Sequence, residues 1–155
     1  MKRMRPMTTV VVLVAAVVGG GIWYLFFRGP SSADCAPVRE LLSFNKSQID
    51  AMNAKTTDPA PGSFQTATEP SELDYLAWRD GIVDRAAKVT APDVAGQASD
   101  LARTVGLLVG ARLDYDTQSK RTAPGGAAPP AAYAVKAFND QYEAQVKQLA
   151  ATCQA

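Results

Sequence analysis

Histidine is absent from this chain of 155 residues, and cysteine occurs only twice. The chain therefore lacks the most common general base and the most common metal ligand, and it has no C-x-x-C-H motif for haem attachment. Its serine and threonine hydroxyls have no histidine to activate one of them as a nucleophile. We therefore expect no enzyme activity, no bound metal and no cofactor.

Positive charge is scarce beyond the N-terminus. The first 28 residues hold four of the 16 lysines and arginines, whereas residues 29–155 contain 12 basic and 15 acidic residues. That longer segment keeps no basic surface with which to neutralise phosphates. Nucleic acid is therefore not an expected partner.

The longest apolar run extends from Met7 to Phe27, and its 21 residues include no charge. A helix of this length spans roughly 30 Å, about the hydrocarbon thickness of a bilayer. Basic residues precede the run, and such residues favour the cytoplasmic side. We predict a cytoplasmic head over residues 1–6 and a transmembrane helix over residues 7–28. This helix would cross the lipid of the inner, cytoplasmic membrane once and leave the rest of the chain outside the cytoplasm.

A cleaved signal peptide is the alternative interpretation of this segment. The basic head, the apolar run and the small residues Ser31, Ser32 and Ala33 fit that pattern. The apolar run is, however, about twice as long as an ordinary signal-peptide core. A retained anchor is therefore the better interpretation.

Small residues in the apolar run predict a contact between membrane helices. Ala15, Ala16, Gly19 and Gly20 lie one turn apart, as in the small-xxx-small faces on which transmembrane helices pack closely. The alternative is that lipid simply tolerates these residues.

Four segments of residues 35–155, which follow a linker over residues 29–34, carry apolar residues at helical spacing. We call the row of residues at this spacing in each segment its seam. In chain order the four seams are Cys35, Val38, Leu42, Asn45, Ile49 and Met52; Leu73, Leu76, Asp80, Val83 and Ala87; Val94, Ala98, Leu101, Val105, Leu108 and Arg112; and Val135, Phe138, Tyr142, Gln145 or Val146, Leu149 and Cys153. No segment alternates with period two, so we predict an all-α fold without a sheet. The external domain is then an antiparallel four-helix bundle.

The boundaries of the helices are marked by caps and breakers. Ser71 and Asp74 have the spacing of a capping box, and Pro92 suits the first turn of the third helix. Proline and glycine indicate loops over Thr56–Pro70 and Asp116–Pro130. Asn45 falls on an apolar seam, where a polar side chain can fix helix register.

The two cysteines test this topology. Cys35 opens the first helix and Cys153 closes the fourth. Four antiparallel helices of similar length bring these two ends together, which predicts a disulfide in an oxidising compartment. The alternative is a pair of buried free thiols.

Five residues are candidate partner contacts. Phe44, Phe64 and Trp78 do not follow the core spacing, and exposed aromatic residues often mark a binding surface. The alternative is that they wrap around the edge of a small core. Gly106 and Gly110 belong to a row of small residues that permits close approach of another backbone, inside the bundle or from a partner.

The layout of the entire chain consists of a short basic head, a valine-rich anchor and a small Ala-rich external helical domain. It resembles the small single-pass association factors of the actinobacterial respiratory supercomplex, in which a cytochrome bcc complex joins an aa3-type oxidase. The resemblance implies a non-catalytic accessory or assembly subunit without a redox centre. Other integral membrane subunits and their external domains would be its partners.

A membrane-anchored module that holds a small ligand, a lipid or a cell-wall component between its helices is the competing expectation. The two functions predict different surfaces. A subunit is expected to carry a continuous apolar strip from anchor to bundle, whereas a ligand carrier is expected to have a concave pocket lined by aromatic rings.

Overall fold

The computed structural model describes residues 30–57, 68–123 and 126–154. The predicted transmembrane helix, with its packing residues Ala15, Ala16, Gly19 and Gly20, lies outside the described residues, and so does Phe64. Among the helices that are described, none has the length and apolarity needed to cross a bilayer.

Four α-helices make up the described part of the chain. They are α1 (Ala36–Lys55), α2 (Glu72–Ala86), α3 (Pro92–Ser119) and α4 (Pro130–Cys153). Thr57 and Thr68 form an isolated antiparallel bridge across the connection between α1 and α2, and the described residues contain no strand. The prediction of an all-helical domain with four helices is confirmed for this part of the chain.

Contacts between helix ends show that sequential helices run antiparallel. Lys55 at the end of α1 donates to Asp74 near the start of α2 over 2.6 Å. Thr152 near the end of α4 donates to Gln97 near the start of α3 over 3.3 Å. Each helix packs against its neighbours in sequence, and α4 also packs against α1. The four helices therefore surround one core.

The disulfide predicted from topology is present. Cys35 and Cys153 are bonded, and they are 118 positions apart in the sequence. Both side chains are buried, so the bridge belongs to the core at the end of the bundle where α1 begins and α4 finishes.

Local signals define the helix starts. The Ser71 hydroxyl accepts from the backbone of Asp74, and the Asp74 carboxylate accepts from the backbone of Ser71, which confirms the capping box. A proline stands in the first turn of each of the other three helices, where no backbone N–H donor is needed.

The end of α3 differs from the prediction, which began a loop at Asp116. The helix continues to Ser119. Neither proline nor glycine occurs between Gly110 and Pro124, and Asp116 is ion-paired with Arg112 one turn earlier, so nothing terminates the helix at the predicted position.

The buried faces of α1, α3 and α4 match the predicted seams with one shift. The apolar α3 residues from Val94 to Leu108 are buried as predicted, and α4 buries Tyr142 and Leu149. In α1, Leu41 is fully buried and the predicted Leu42 is only half-buried. Leu42 borders the groove between α1 and α4, which these two helices leave partly open.

The prediction of which face of α2 is buried is wrong. Leu73 is 75% exposed and Val83 is 47% exposed, whereas Trp78, Ile82 and Ala86 are buried. Both faces of this helix carry apolar residues at helical spacing. The face that turns inward contains the larger aromatic surface, and it leaves the Asp80 carboxylate in water, where its charge needs no desolvation.

Candidate functional site

A cavity of about 220 Å³ lies between the four helices, at the end of the bundle away from the disulfide. Its walls come from the C-terminal halves of α1 and α3 and from the first halves of α2 and α4. Aliphatic residues form much of the lining: Ile49, Met52, Leu108, Val109 and Val135. Three aromatic rings complete the apolar part of the wall, those of Tyr75, Trp78 and Tyr142.

A hydrogen-bonded group of three side chains from three helices lies beside this cavity. The Trp78 indole N–H donates to Asn45 Oδ1 over 2.9 Å, and Asn45 Nδ2 donates to the Tyr142 hydroxyl oxygen over 2.6 Å. We call these three residues the core triad. All are buried, with exposures of 5% for Asn45, 2% for Trp78 and 9% for Tyr142. These two hydrogen bonds offset part of the free-energy cost of burying the polar atoms of the triad.

The two aromatic members of the core triad also contact each other. The rings of Trp78 and Tyr142 meet edge to face, with centroids 5.5 Å apart and an interplanar angle of 85°. This arrangement brings the positive edge of one ring to the negative face of the other. Burial raises the pKa of the Tyr142 hydroxyl, although the hydrogen bond from Asn45 acts in the opposite direction. The Tyr142 hydroxyl therefore keeps its proton at ordinary pH and can donate it in a hydrogen bond.

Arg112 brings a charge to the cavity wall. Its guanidinium is ion-paired with Glu69, and its Nε lies 3.5 Å from Asp116 Oδ1. The guanidinium carbon is 5.8 Å from the Tyr75 ring centroid and 5.4 Å from that of Tyr115. Two carboxylates and two π-faces thus surround one cation and balance its charge, although its buried Nε has no hydrogen-bond partner among the described residues.

The composition of the cavity wall resembles that of a ligand pocket. Groups of three or more histidine, cysteine, aspartate or glutamate side chains with metal-binding geometry are absent from residues 30–57, 68–123 and 126–154. The walls combine apolar and aromatic surface with a few polar groups, as ligand pockets do. At about 220 Å³ the space suits a molecule smaller than a typical drug.

Trp78 is a correction to the predicted partner contacts. Its side chain is buried in the core and its N–H is used inside the triad, so it offers no exposed contact surface. The alternative interpretation, a ring that belongs to the bundle core, applies to this residue.

Phe44 also packs within the bundle. Its ring is half-buried against Gly81 of α2, where an added Cβ would stand 2.6 Å from Cε1. The Arg85 guanidinium carbon lies 3.7 Å from the ring centroid, in cation–π contact. Gly81 therefore lies at the tip of the ring, and Arg85 lies over its face.

Gly106 and Gly110 border an open surface groove. The groove has a volume of about 470 Å³ and lies between α3 and α4. A Cβ added at either glycine would meet no heavy atom within 4 Å. Neither residue is thus required for the packing of helices inside the bundle, and both remain candidates for an external contact.

The sequence favours a concave aromatic pocket only under the competing ligand-binding function, and it does not locate the cavity or mark two of its polar groups, Tyr75 and Arg112. A weak signal existed for Arg112, because it continues the apolar spacing of α3 after Leu108. A charged residue in an apolar seam indicates a special environment. No comparable signal marked Tyr75.

Comparison with known proteins adds no relative. No family model, curated protein or solved structure matches the chain.

Proposed function

We propose that the chain is a non-catalytic, membrane-anchored helical module that binds a small, largely apolar ligand between its helices. One observation carries the proposal: a cavity of about 220 Å³ has three aromatic rings and five aliphatic side chains in its wall. A concave aromatic pocket is the feature expected of a ligand carrier.

A location outside the cytoplasm agrees with this function. A disulfide that persists requires an oxidising compartment. The basic head and the apolar run over residues 7–28 favour an anchor whose C-terminal side is external. Cys35 follows the apolar run after a short linker, so the disulfide end of the bundle would be near the membrane. The cavity would then be at the opposite end, facing away from the lipid.

A cavity-filling variant tests the ligand-binding proposal. Val135 is half-buried and lines the cavity, so Val135→Phe would occupy part of the space. Val83→Phe is the matched control, because Val83 is 47% exposed on the outer face of α2. Full-length protein purified from cell envelopes would be analysed by mass spectrometry for small molecules that co-purify.

We expect wild type and Val83→Phe to retain the same small molecule and Val135→Phe to lose it, with all three folded by circular dichroism. Equal retention in the three proteins would contradict the proposal. So would recovery of no small molecule with any of them.

A second candidate function is an accessory subunit of a larger membrane complex. The observation in its favour is the open groove between α3 and α4, where Gly106 and Gly110 face free space beside the 47% exposed Leu107. The resemblance of the chain layout to respiratory association factors suggests the bcc–aa3 type of supercomplex as host.

Two arginine substitutions distinguish this second function. Gly110→Arg would fill the groove, while Gly96→Arg places the same charge at another open position of α3. We expect supercomplex subunits to co-purify with wild type and with Gly96→Arg, and to be lost with Gly110→Arg. Retention of those subunits by Gly110→Arg, or their absence from the wild-type preparation, would contradict the subunit function.

A further inference from the structure

We infer that the cavity selects a neutral ligand with a hydrogen-bond acceptor, and that the Tyr142 hydroxyl proton is the group that makes the selection. This inference rests on the proposed ligand-binding function and specifies its chemistry. It follows from the direction of each hydrogen bond in the core triad.

The orientation of the triad is fixed by a group that can only donate. The Trp78 indole N–H has no acceptor lone pair, so the Asn45 atom that faces it is the amide oxygen. The Asn45 amide nitrogen must then face Tyr142, where it donates to the hydroxyl oxygen. Tyr142 is thereby an acceptor toward Asn45, and its own proton must go elsewhere.

No described residue takes the Tyr142 proton, since the one side-chain hydrogen bond found at this hydroxyl is the bond from Asn45. The residue is 9% exposed. A buried O–H without an acceptor is costly, and such groups are usually satisfied by water or by a ligand.

The surroundings of Tyr142 indicate where that acceptor would sit. Asn45 lines the groove between α1 and α4 and does not line the cavity, whereas Tyr142 lines both. The O–H bond of a phenol lies in the ring plane. The lone pair that accepts a hydrogen bond points to the opposite side of the C–O axis. The Asn45 amide takes the groove side, so the proton is directed to the cavity side.

Charge decides between a neutral and an ionic ligand. The cation on the cavity wall, Arg112, already has Glu69 and Asp116 as partners. Among the described residues of the cavity wall, no charge is left without a partner to balance an ionic ligand of either sign, and taking an unpaired charge out of water is costly. A neutral acceptor such as a carbonyl oxygen therefore fits, attached to an apolar body that faces Val109 and Met52.

The volume of the cavity limits the size of the ligand. An engineered apolar cavity of about 150 Å³ holds benzene. The present cavity, about 220 Å³, has room for a single ring with a small substituent. Acetophenone is a suitable probe, with α-methylstyrene as the hydrocarbon of the same shape and benzoate as the anion of the same shape.

The experiment uses full-length protein in detergent, labelled with ¹⁵N-tryptophan. The chain has two tryptophans. The Trp78 indole signal reports binding in the cavity, and the Trp23 signal is the comparison for nonspecific effects of the probe. Each probe is titrated into wild type and Tyr142→Phe, and the free probe concentration is measured by dialysis to correct for uptake by micelles. Circular dichroism checks that the variant is folded.

We expect saturable shifts of the Trp78 signal with acetophenone and α-methylstyrene, and binding of benzoate at least about tenfold weaker than that of acetophenone. The preference for acetophenone over α-methylstyrene should fall about two- to tenfold in Tyr142→Phe, which corresponds to one net hydrogen bond. If that variant does not fold, a ¹³Cζ-tyrosine label in wild type replaces it. The Tyr142 signal should then move with acetophenone and stay in place with α-methylstyrene.

Three results would overturn parts of this scheme. An unchanged preference in Tyr142→Phe, or equal Tyr142 signal shifts with both neutral probes, rejects the inference and leaves the ligand-binding function intact. Tightest binding of benzoate also rejects the inference, because it reveals an anion site. Failure of every probe to saturate the Trp78 signal argues against the proposed function itself.

Discussion

The Trp78 indole in α2 donates its only N–H to the Asn45 side chain in α1, across 2.9 Å of the bundle interior. Both residues are almost fully buried. A displacement of either helix by one residue would separate the donor from the acceptor and leave two polar groups without partners. The pair therefore specifies the register of α1 against α2 in addition to filling the core.

Asn45→Leu is predicted to destabilise the domain by about 1–3 kcal/mol, since the buried Trp78 N–H loses its acceptor. Ser47→Leu is the control, because Ser47 is exposed on the same helix and its replacement should change stability by less than about 0.5 kcal/mol. Urea unfolding of full-length protein measures both free energies. An Asn45→Leu protein as stable as the control would show that the Trp78–Asn45 bond contributes nothing net.

The sequence predicted half of this pair. Asn45 stands out because it is a polar residue on an otherwise apolar seam. The core spacing leaves Trp78 out, because α2 has apolar residues on both sides and periodicity alone predicts a helix without saying which side turns inward. Packing against α1 decides that question, through contacts between residues 33 positions apart in sequence.

Gly81→Ala is predicted to destabilise the domain by about 1–2 kcal/mol, even though alanine favours helix more than glycine does. The added methyl would collide with the Phe44 ring, and Arg85 at 3.7 Å restricts the ring's escape. The control is Gly96→Ala in α3, where an added Cβ meets nothing within 4 Å and should stabilise by about 0.5–1 kcal/mol.

Thermal unfolding compares the two alanine variants. In a Phe44→Ala background the penalty should vanish, and Gly81→Ala should then behave like Gly96→Ala. Equal stabilisation by both substitutions in the wild-type background would mean that the Phe44 ring moves aside freely and that Arg85 does not hold it against Gly81.

The disulfide was predictable and the cavity was not, for one physical reason. The position of Cys35 next to Cys153 follows from helix order and approximate helix length, which composition and breakers reveal. The cavity around Tyr75 and Arg112 exists because side chains from four helices stop a few ångströms short of one another. The order of residues in the sequence does not contain those distances.

Loss of the disulfide is predicted to cost about 4–5 kcal/mol, because the bridge removes the entropy of a long loop from the unfolded chain. Cys35→Ala, Cys153→Ala and the double variant should be destabilised to a similar degree, since a single substitution already opens the loop. Urea unfolding without reductant measures all three. If each single variant retained most of the wild-type stability and the double variant lost far more, packing of the two side chains rather than the bridge would dominate.

The acid sensitivity of the domain is predicted to depend on Asp74. The hydrogen bond from Lys55 Nζ, followed by those from Ser71, lowers the Asp74 pKa from 3.8 to about 2. A carboxylate whose pKa is depressed by folding stabilises the folded state above its unfolded pKa, and this stabilisation is lost as pH falls toward the folded pKa. The contribution is therefore complete only above about pH 5, and it is lost progressively as pH falls through 3.8 toward about 2.

Asp74→Asn should flatten the fall in stability across that pH range, because the amide does not titrate. The substitution keeps an oxygen that can accept from the Ser71 backbone N–H, so the capping box is partly preserved. Lys55→Gln is the matched variant, because it removes the strongest influence on the Asp74 pKa and leaves the carboxylate and Ser71 in place. Its acid dependence should therefore be intermediate. Urea unfolding at intervals from pH 5 to pH 2 provides the curves, and NMR titration of the Asp74 carboxyl in wild type gives its pKa directly. An Asp74→Asn curve parallel to that of wild type would place the acid-sensitive group elsewhere in the domain.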